Sequence, residues 1–201
     1  MSPTLGLPPP STSSQQSLES TLTRRKSVRN FKDDPLSLAE VSQLLWAAQG
    51  MTHDQEHRTS PSAGALYPLE IYFVAGDVHD LAAGVYRYRP DHHELETVIE
   101  GDRRSSLRNA ALNQDFLQEC PAVMVISAVY ERTTWKYGKR GERYIYMEVG
   151  HVAQNVSLQA VSLNLGTVVV GAFDDERVRE IVNMPDDEKP LCLMPLGKPV
   201  S

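Results

Sequence analysis

The sequence predicts a mixed α+β fold built as one domain, and three observations carry that reading. Ala122–Tyr130 is an unbroken apolar, β-rich run of the kind found in a central strand covered on both faces. Segments with helical apolar spacing stand among such β-rich runs along the chain, and no internal repeat appears. The longest helical pattern, Glu142–Leu165, is apolar around much of its circumference, through Ile145, Val149, Val152, Val156, Ala160, Val161 and Leu163. A helix of that kind needs a large core or a partner subunit to cover it.

Composition narrows the function classes. The 201 residues include 20 Lys+Arg and 26 Asp+Glu, a formal net charge of −6, with 41% hydrophobic and 23% charged residues. Mean hydropathy is −0.35. The balance is that of a soluble globular chain, and the length suits a single core. The acidic total argues against binding nucleic acid by bulk charge. No apolar run reaches the ~20 residues of a bilayer-spanning helix, and the N-terminus lacks the basic and apolar stretches of a secretory signal. The expectation is a cytoplasmic enzyme or binding domain with no nucleic-acid or membrane partner. Cys120 and Cys192 lie 72 positions apart with no metal-type spacing and read as buried free thiols. Sequence separation alone leaves a disulfide open.

The elements follow in order. Residues 1–16 hold four of the 13 prolines and a Ser/Thr cluster, so they form a disordered segment or an extended arm laid on a larger surface. Leu5 and Leu7 favour the arm. The domain proper is expected over 17–201. Ser17 to Lys26 reads as a short helix, with Leu18 and Leu22 four apart. Ser37-Leu-Ala-Glu40 is a capping box, with Leu36 and Val41 placed as a hydrophobic staple. Leu38, Val41, Leu44, Leu45 and Ala48 make the buried stripe of that helix, and Gly50 its stop. A polar loop to Ser60 leads to a strand over Leu69–Ala75. Gly84–Arg89 and Glu94–Ile99 flank Pro90-Asp-His-His93 as a hairpin at a sheet edge. A helix over 102–112 precedes the central strand. Beyond the long helix come a strand over Thr167–Val170, a helix over Asp174–Asn183 with an acidic first turn, and a last strand over Leu191–Leu196.

Several constellations bear on chemistry. Neither common nucleotide-binding glycine motif occurs, nor a G-x-S-x-G elbow. Glu148-Val-Gly-His151 has the spacing of half a carboxylate-bridged metal site, but the second half is missing, so no metal is expected and the pair reads as hydrogen-bonded within the helix. The run Arg24-Arg-Lys-Ser-Val-Arg29 reads as a solvated helix end or as a phosphate site, where arginines around a serine hydroxyl converge on one anion. A nucleic-acid patch is a third reading, without the aromatic interleaving such a patch uses. Pro61-Ser-Ala-Gly-Ala-Leu-Tyr-Pro68 is a turn before the next strand or a rigid loop whose backbone can approach a flat ligand. Lys136-Tyr137 lies in a charged loop before the long helix, or supplies an acid or base beside a cofactor.

Taken together and in order, Arg25–Phe31, Leu44–Gly50, Pro61–Pro68, Glu148–Asn155, Val170–Phe173 and Pro195–Gly197 resemble the FMN-dependent nitroreductase superfamily. The branch they resemble most is the SagB-type dehydrogenases, which includes the azoline dehydrogenases of thiazole and oxazole peptide pathways. The resemblance runs over residues 5–198. It implies a central antiparallel sheet wrapped by helices in an intertwined homodimer, with two FMN sites at the subunit interface. Carried over by position, Arg25, Lys26, Ser27 and Arg29 would hold the phosphate and ribityl chain. Pro61, Ser62, Ala63, Gly64, Ala65 and Leu66 would meet the flavin from the partner subunit. Asn113 would bond the ring edge, Val170, Gly171 and Ala172 would line the ring near N5, and Lys198 would complete the phosphate site. Lys136 and Tyr137 match the adjacent pair to which azoline dehydrogenases assign catalysis.

The resemblance further implies two half-reactions: a donor reduces the flavin and leaves, and an acceptor then takes the electrons. In the dehydrogenase sense a heterocycle is the donor. In the sense of a nitro or quinone reductase, NAD(P)H is the reductant and a small molecule the acceptor. A flavin-binding protein without turnover is the reading of another class, and Lys136-Tyr137 is what such a protein would not need.

Overall fold

The computed structural model describes residues 3–52 and 57–200, so residues 53–56 of the polar loop lie outside the described residues. The strands are β1 (Thr4–Gly6), β2 (Leu69–Ala75), β3 (Gly84–Arg89), β4 (Glu94–Glu100), β5 (Ala122–Val129), β6 (Gly166–Thr167) and β7 (Glu188–Gly197). Among the described residues they form one seven-stranded sheet in the order β1-β4-β3-β2-β5-β7-β6, with every pair antiparallel. The helices are α1 (Leu18–Arg24), α2 (Leu38–Gln49), α3 (Arg104–Ala110), α4 (Phe116–Glu119), α5 (Glu131–Tyr137), α6 (Arg140–Ser162) and α7 (Asp175–Ile181).

Strand periodicity explains the two-sided core. All eight residues of β5 are buried. Met124 and Ile126 face one layer with Ile71 and Phe73 of β2, packed under Leu44 and Leu45 of α2 and Ile145, Val152 and Val156 of α6. Val123 and Val125 face the other with Tyr72 and Val74, packed under Leu107, Leu117 and Val178 of the shorter helices and Val182 at the end of the last. Alternate residues therefore serve opposite layers, which is why the central strand reads as a continuous apolar run. Ser37 caps α2 with both bonds of the capping box in place, and Leu36 and Val41 are fully buried beside it.

Several elements differ from the sequence expectation. The β3–β4 hairpin is not the sheet edge, because β1 adds outside β4 with Leu5 opposite Leu95. The helix expected over 102–112 is only Arg104–Ala110. The chain then turns through Leu112 and Asn113, both with positive φ, before α4. The strand expected over 167–170 shortens to Gly166–Thr167, with Val170 returning as a single bridge to Leu193. The last strand starts earlier, at Glu188, and Leu191 is an extra residue between the pairs Ser127–Pro190 and Ile126–Cys192. That bulge is where a proline is tolerated inside a sheet.

The segment before the long helix is itself helical. α5 ends at Gly138, whose φ of 55° and ψ of −149° only glycine adopts cheaply, and α6 begins two residues later. Among the described residues no helix is long and apolar enough to cross a membrane. Both cysteines are free and buried, and burial pushes each thiol up to about 12.

Candidate functional site

Residues 25–29 run extended beside β6. Ser27 bridges Thr167, and the Val28 N–H donates to the Thr167 carbonyl at 3.0 Å. Gly166 permits the approach, since a Cβ there would lie 2.7 Å from the Val28 side chain. Successive side chains of an extended segment point to opposite sides. Arg25, Ser27 and Arg29 accordingly line one cavity of about 310 Å³, with Val149, Gly150, Ala153 and Gln154 of α6 and Thr167–Val169. Lys26 falls on the other side, in a separate depression with Arg24 and Val28. Among the described residues, Arg25 and Arg29 form no ion pair or side-chain hydrogen bond. Lys198 does not line that cavity; its ammonium stands 3.7 Å from Asp34.

The 61–68 loop is a tight turn held by side chains from other elements. Gly64, Ala65 and Tyr67 all have positive φ, of 64°, 54° and 44°. Ala65 N–H donates to the Ser62 carbonyl at 3.1 Å, and Tyr67 N–H to Ser62 Oγ at 2.9 Å. Ala63 N–H donates to Oε1 of Glu148 in α6 at 2.9 Å. Pro61, Gly64 and Ala65 are exposed, with Leu66 half-buried. A Cβ on Gly64 would lie 2.7 Å from Tyr137 Oη and 2.9 Å from Lys136 Nζ, so the loop and the Lys136–Tyr137 pair of α5 are in direct contact. Tyr137 in turn sets its ring edge-on to Tyr144, with centroids 5.1 Å apart.

The far end of the loop is anchored to the sheet. Arg132 of α5 donates to the Tyr67 carbonyl at 3.2 Å and pairs with Glu70 at 2.7 Å. Glu70 also pairs with Arg87, which reaches the buried Glu188 at 2.9 Å. Tyr72 and Ser127 each donate to Glu188 Oε2 at 3.0 Å. Arg58 stacks on the Tyr67 ring at 4.6 Å. None of Glu148, Arg132 or Arg58 is among the site residues the sequence suggested. The Glu148–His151 spacing singled out Glu148 but with the wrong partner, for its hydrogen bond goes to the loop and His151 is exposed.

A third group gathers at the opposite layer. Asn113 is exposed in the left-handed turn after α3, and its N–H donates to Arg108. The neighbouring Gln114 amide donates to the Ala172 carbonyl at 3.3 Å, which ties this turn to Val170–Ala172. Val170 is buried, while Gly171 and Ala172 are exposed. Within this chain the suggested residues thus form three clusters rather than one. α6 serves two of them, with Glu148 at the loop and Val149–Gln154 at the arginine cavity.

This fold and these clusters place the molecule in a known class. Residues 22–198 match the model of the nitroreductase family, and the chain belongs to that family of oxidoreductases. It is 50% identical over 183 residues to MJ1384 of Methanocaldococcus jannaschii, a protein named as a nitroreductase, covering 91% of each chain. It is 30% identical over 162 residues to the microcin B17-processing protein McbC of Escherichia coli, covering 77% of this chain and 60% of McbC. Among solved structures it is similar to a Ralstonia eutropha JMP134 protein named as a nitroreductase, with a TM-score of 0.87 and 32% identity over 98% of this chain and 90% of that one. It is also similar to a chain of the E. coli microcin synthetase McbBCD complex bound to truncated pro-MccB17, with a TM-score of 0.78 and 27% identity over 95% of this chain and 76% of that one.

Proposed function

We propose that the protein is an FMN-dependent oxidoreductase acting as a homodimer, in the dehydrogenase sense of the SagB-type branch. The observation that carries the proposal is the cavity lined by Arg25, Ser27 and Arg29. Among the described residues its two guanidinium groups and one hydroxyl have no carboxylate partner, and that donor set fits a phosphate. The neutral, small-residue wall supplied by Gly150, Ala153 and Val168 fits the less polar part of the same ligand. When bound, the flavin supplies hydride chemistry at N5.

The chain's own residues do the rest in this reading. Arg25, Ser27 and Arg29 hold the phosphate end; Lys26 and Lys198, which point elsewhere, add only long-range positive charge. The Pro61–Leu66 turn, whose exposed backbone includes positive-φ residues, would meet the flavin from the partner subunit. Asn113 would bond the ring edge and Val170, Gly171 and Ala172 would line it; a Cβ on Gly171 would meet open space. Lys136 and Tyr137 would hold or take the proton that leaves the substrate. Similarity to a microcin-processing protein, and to a chain of a microcin synthetase complex solved with truncated pro-MccB17, supports a peptide-derived substrate over a bare reductant.

The homodimer is supported by what one protomer leaves uncovered. Trp135, Tyr146 and Met147 on α5 and α6 are 70%, 55% and 52% exposed, and Val169 beside the arginine cavity is 51% exposed. Apolar surface of that kind marks an interface.

The test is anaerobic reduction of the FMN-loaded protein, followed by loss of flavin absorbance. Azoline-bearing peptides are expected to bleach the wild type. Tyr137→Phe and Lys136→Ala should bind FMN normally yet bleach roughly 10²–10⁴-fold more slowly. Bleaching by NADH or NADPH at equal rates in wild type and variants would instead support a nitro or quinone reductase. Bound flavin that no donor reduces would support a binder without turnover.

A further inference from the structure

Glu148 sits where a charged residue is costly. It is 3% exposed, one carboxyl oxygen accepts the Ala63 N–H, and the other is buried with no hydrogen-bond partner among the described residues. Burial pushes the carboxyl upward, opposed by the Ala63 N–H, the Ser62 hydroxyl and the charge of His151. A leucine here would avoid the unpaired oxygen, so core packing alone does not explain the residue. What the carboxyl does hold is the turn. The Ser62–Tyr67 segment belongs to no helix or strand ladder beyond one short turn, and three of its residues keep left-handed backbone that must be held against strain. On the other side of the same turn, the Gly64 backbone is packed against Tyr137 Oη and Lys136 Nζ.

We propose that Glu148 is a positioning residue: by anchoring the Ala63 amide it sets the height of the Gly64 backbone beneath Lys136 and Tyr137, and so fixes where that pair stands. The inference rests on the reading of Lys136–Tyr137 as the catalytic pair. Glu148 touches neither substrate nor flavin in this scheme; it acts through the turn.

Two substitutions separate anchoring from packing. Glu148→Gln keeps a carbonyl oxygen for the Ala63 N–H, whereas Glu148→Leu removes it; Glu148→Ala stands in if the leucine variant does not fold. Amide exchange at Ala63, read by NMR without substrate, is expected to be at least about tenfold faster in the leucine variant and close to wild type in the glutamine one. With FMN loaded, the leucine variant should lose kcat roughly a hundredfold with KM unchanged, and glutamine should restore it. Added to the Lys136→Ala/Tyr137→Phe double variant, the leucine change should cost nothing further, because it acts through that pair. Unchanged Ala63 exchange, wild-type turnover in the leucine variant, or losses that add to those of the double variant would each overturn the proposal. If the wild type binds no FMN, the functional reading fails by itself, and Ala63 exchange still decides whether Glu148 anchors the turn.

Discussion

At the scale of single residues, His93 shows how one side chain fastens a whole segment. The Pro8 carbonyl can only accept, so His93 Nε2, 3.0 Å away, carries the ring proton and Nδ1 accepts from Tyr88 Oη at 2.8 Å. Ser42 Oγ donates to the same carbonyl at 2.5 Å. Burial lowers the ring's pKa from 6.5, with the Pro8 carbonyl opposing. A ring that must stay neutral in the fold contributes its full stability above about pH 6.5, and that contribution is lost as pH falls through the depressed folded value. Resistance to urea is therefore expected to fall between pH 7 and pH 5, and His93→Gln should flatten part of that fall. An identical pH profile in the variant would assign the loss to other groups. Leu5 and Leu7 hinted at an arm on the surface, and they do pack against the core. Nothing local marked His93, because Pro8 and Ser42 are 85 and 51 positions away.

At the scale of elements, what could be read depended on how local the cause was. The capping box of α2, the strand over Leu69–Ala75 and the first strand of the hairpin were legible because their signals lie within the element. α5 was not, since seven residues with a mixed surface carry little periodicity and its stop, Gly138, resembles any loop glycine. The start of β7 was hidden for a different reason. Glu188 and Pro190 look unlike a central strand until Arg87, Tyr72 and Ser127 arrive from three other strands to satisfy the glutamate. The 61–68 turn allows a prediction at this scale. Gly64→Ala puts a methyl into left-handed backbone, at a cost of roughly 1–2 kcal/mol, and against the mobile ends of Tyr137 and Lys136. Those ends can swing aside, so the variant should fold and bind FMN while turning over more slowly. Wild-type turnover at the measured stability loss would detach the turn from the Lys136–Tyr137 pair.

For the whole molecule, the net charge of −6 says less than the placement of its cations. Among the described residues Arg25 and Arg29 pair with no carboxylate, on one side of an extended segment, while other cations are paired, as in Arg87, Arg104, Arg108, Arg132 and Arg179. The 41% hydrophobic content likewise divides between a two-layer core and exposed apolar side chains such as Trp135, Tyr146 and Met147. The order of the motifs was enough to suggest the family. It was not enough to show that Lys26 turns away from Arg25 and Arg29, or that Glu148 serves the turn, because both depend on partners brought in by the sheet and by α6. The most direct measurement is the affinity of the wild type and of an Arg25→Ala/Arg29→Ala variant for FMN and for riboflavin, which lacks the phosphate. The wild type should prefer FMN at least about tenfold, and the variant should lose that preference while keeping its riboflavin affinity. Equal affinity of the wild type for both ligands, or no binding of either, would contradict the assignment of this cavity to a flavin phosphate.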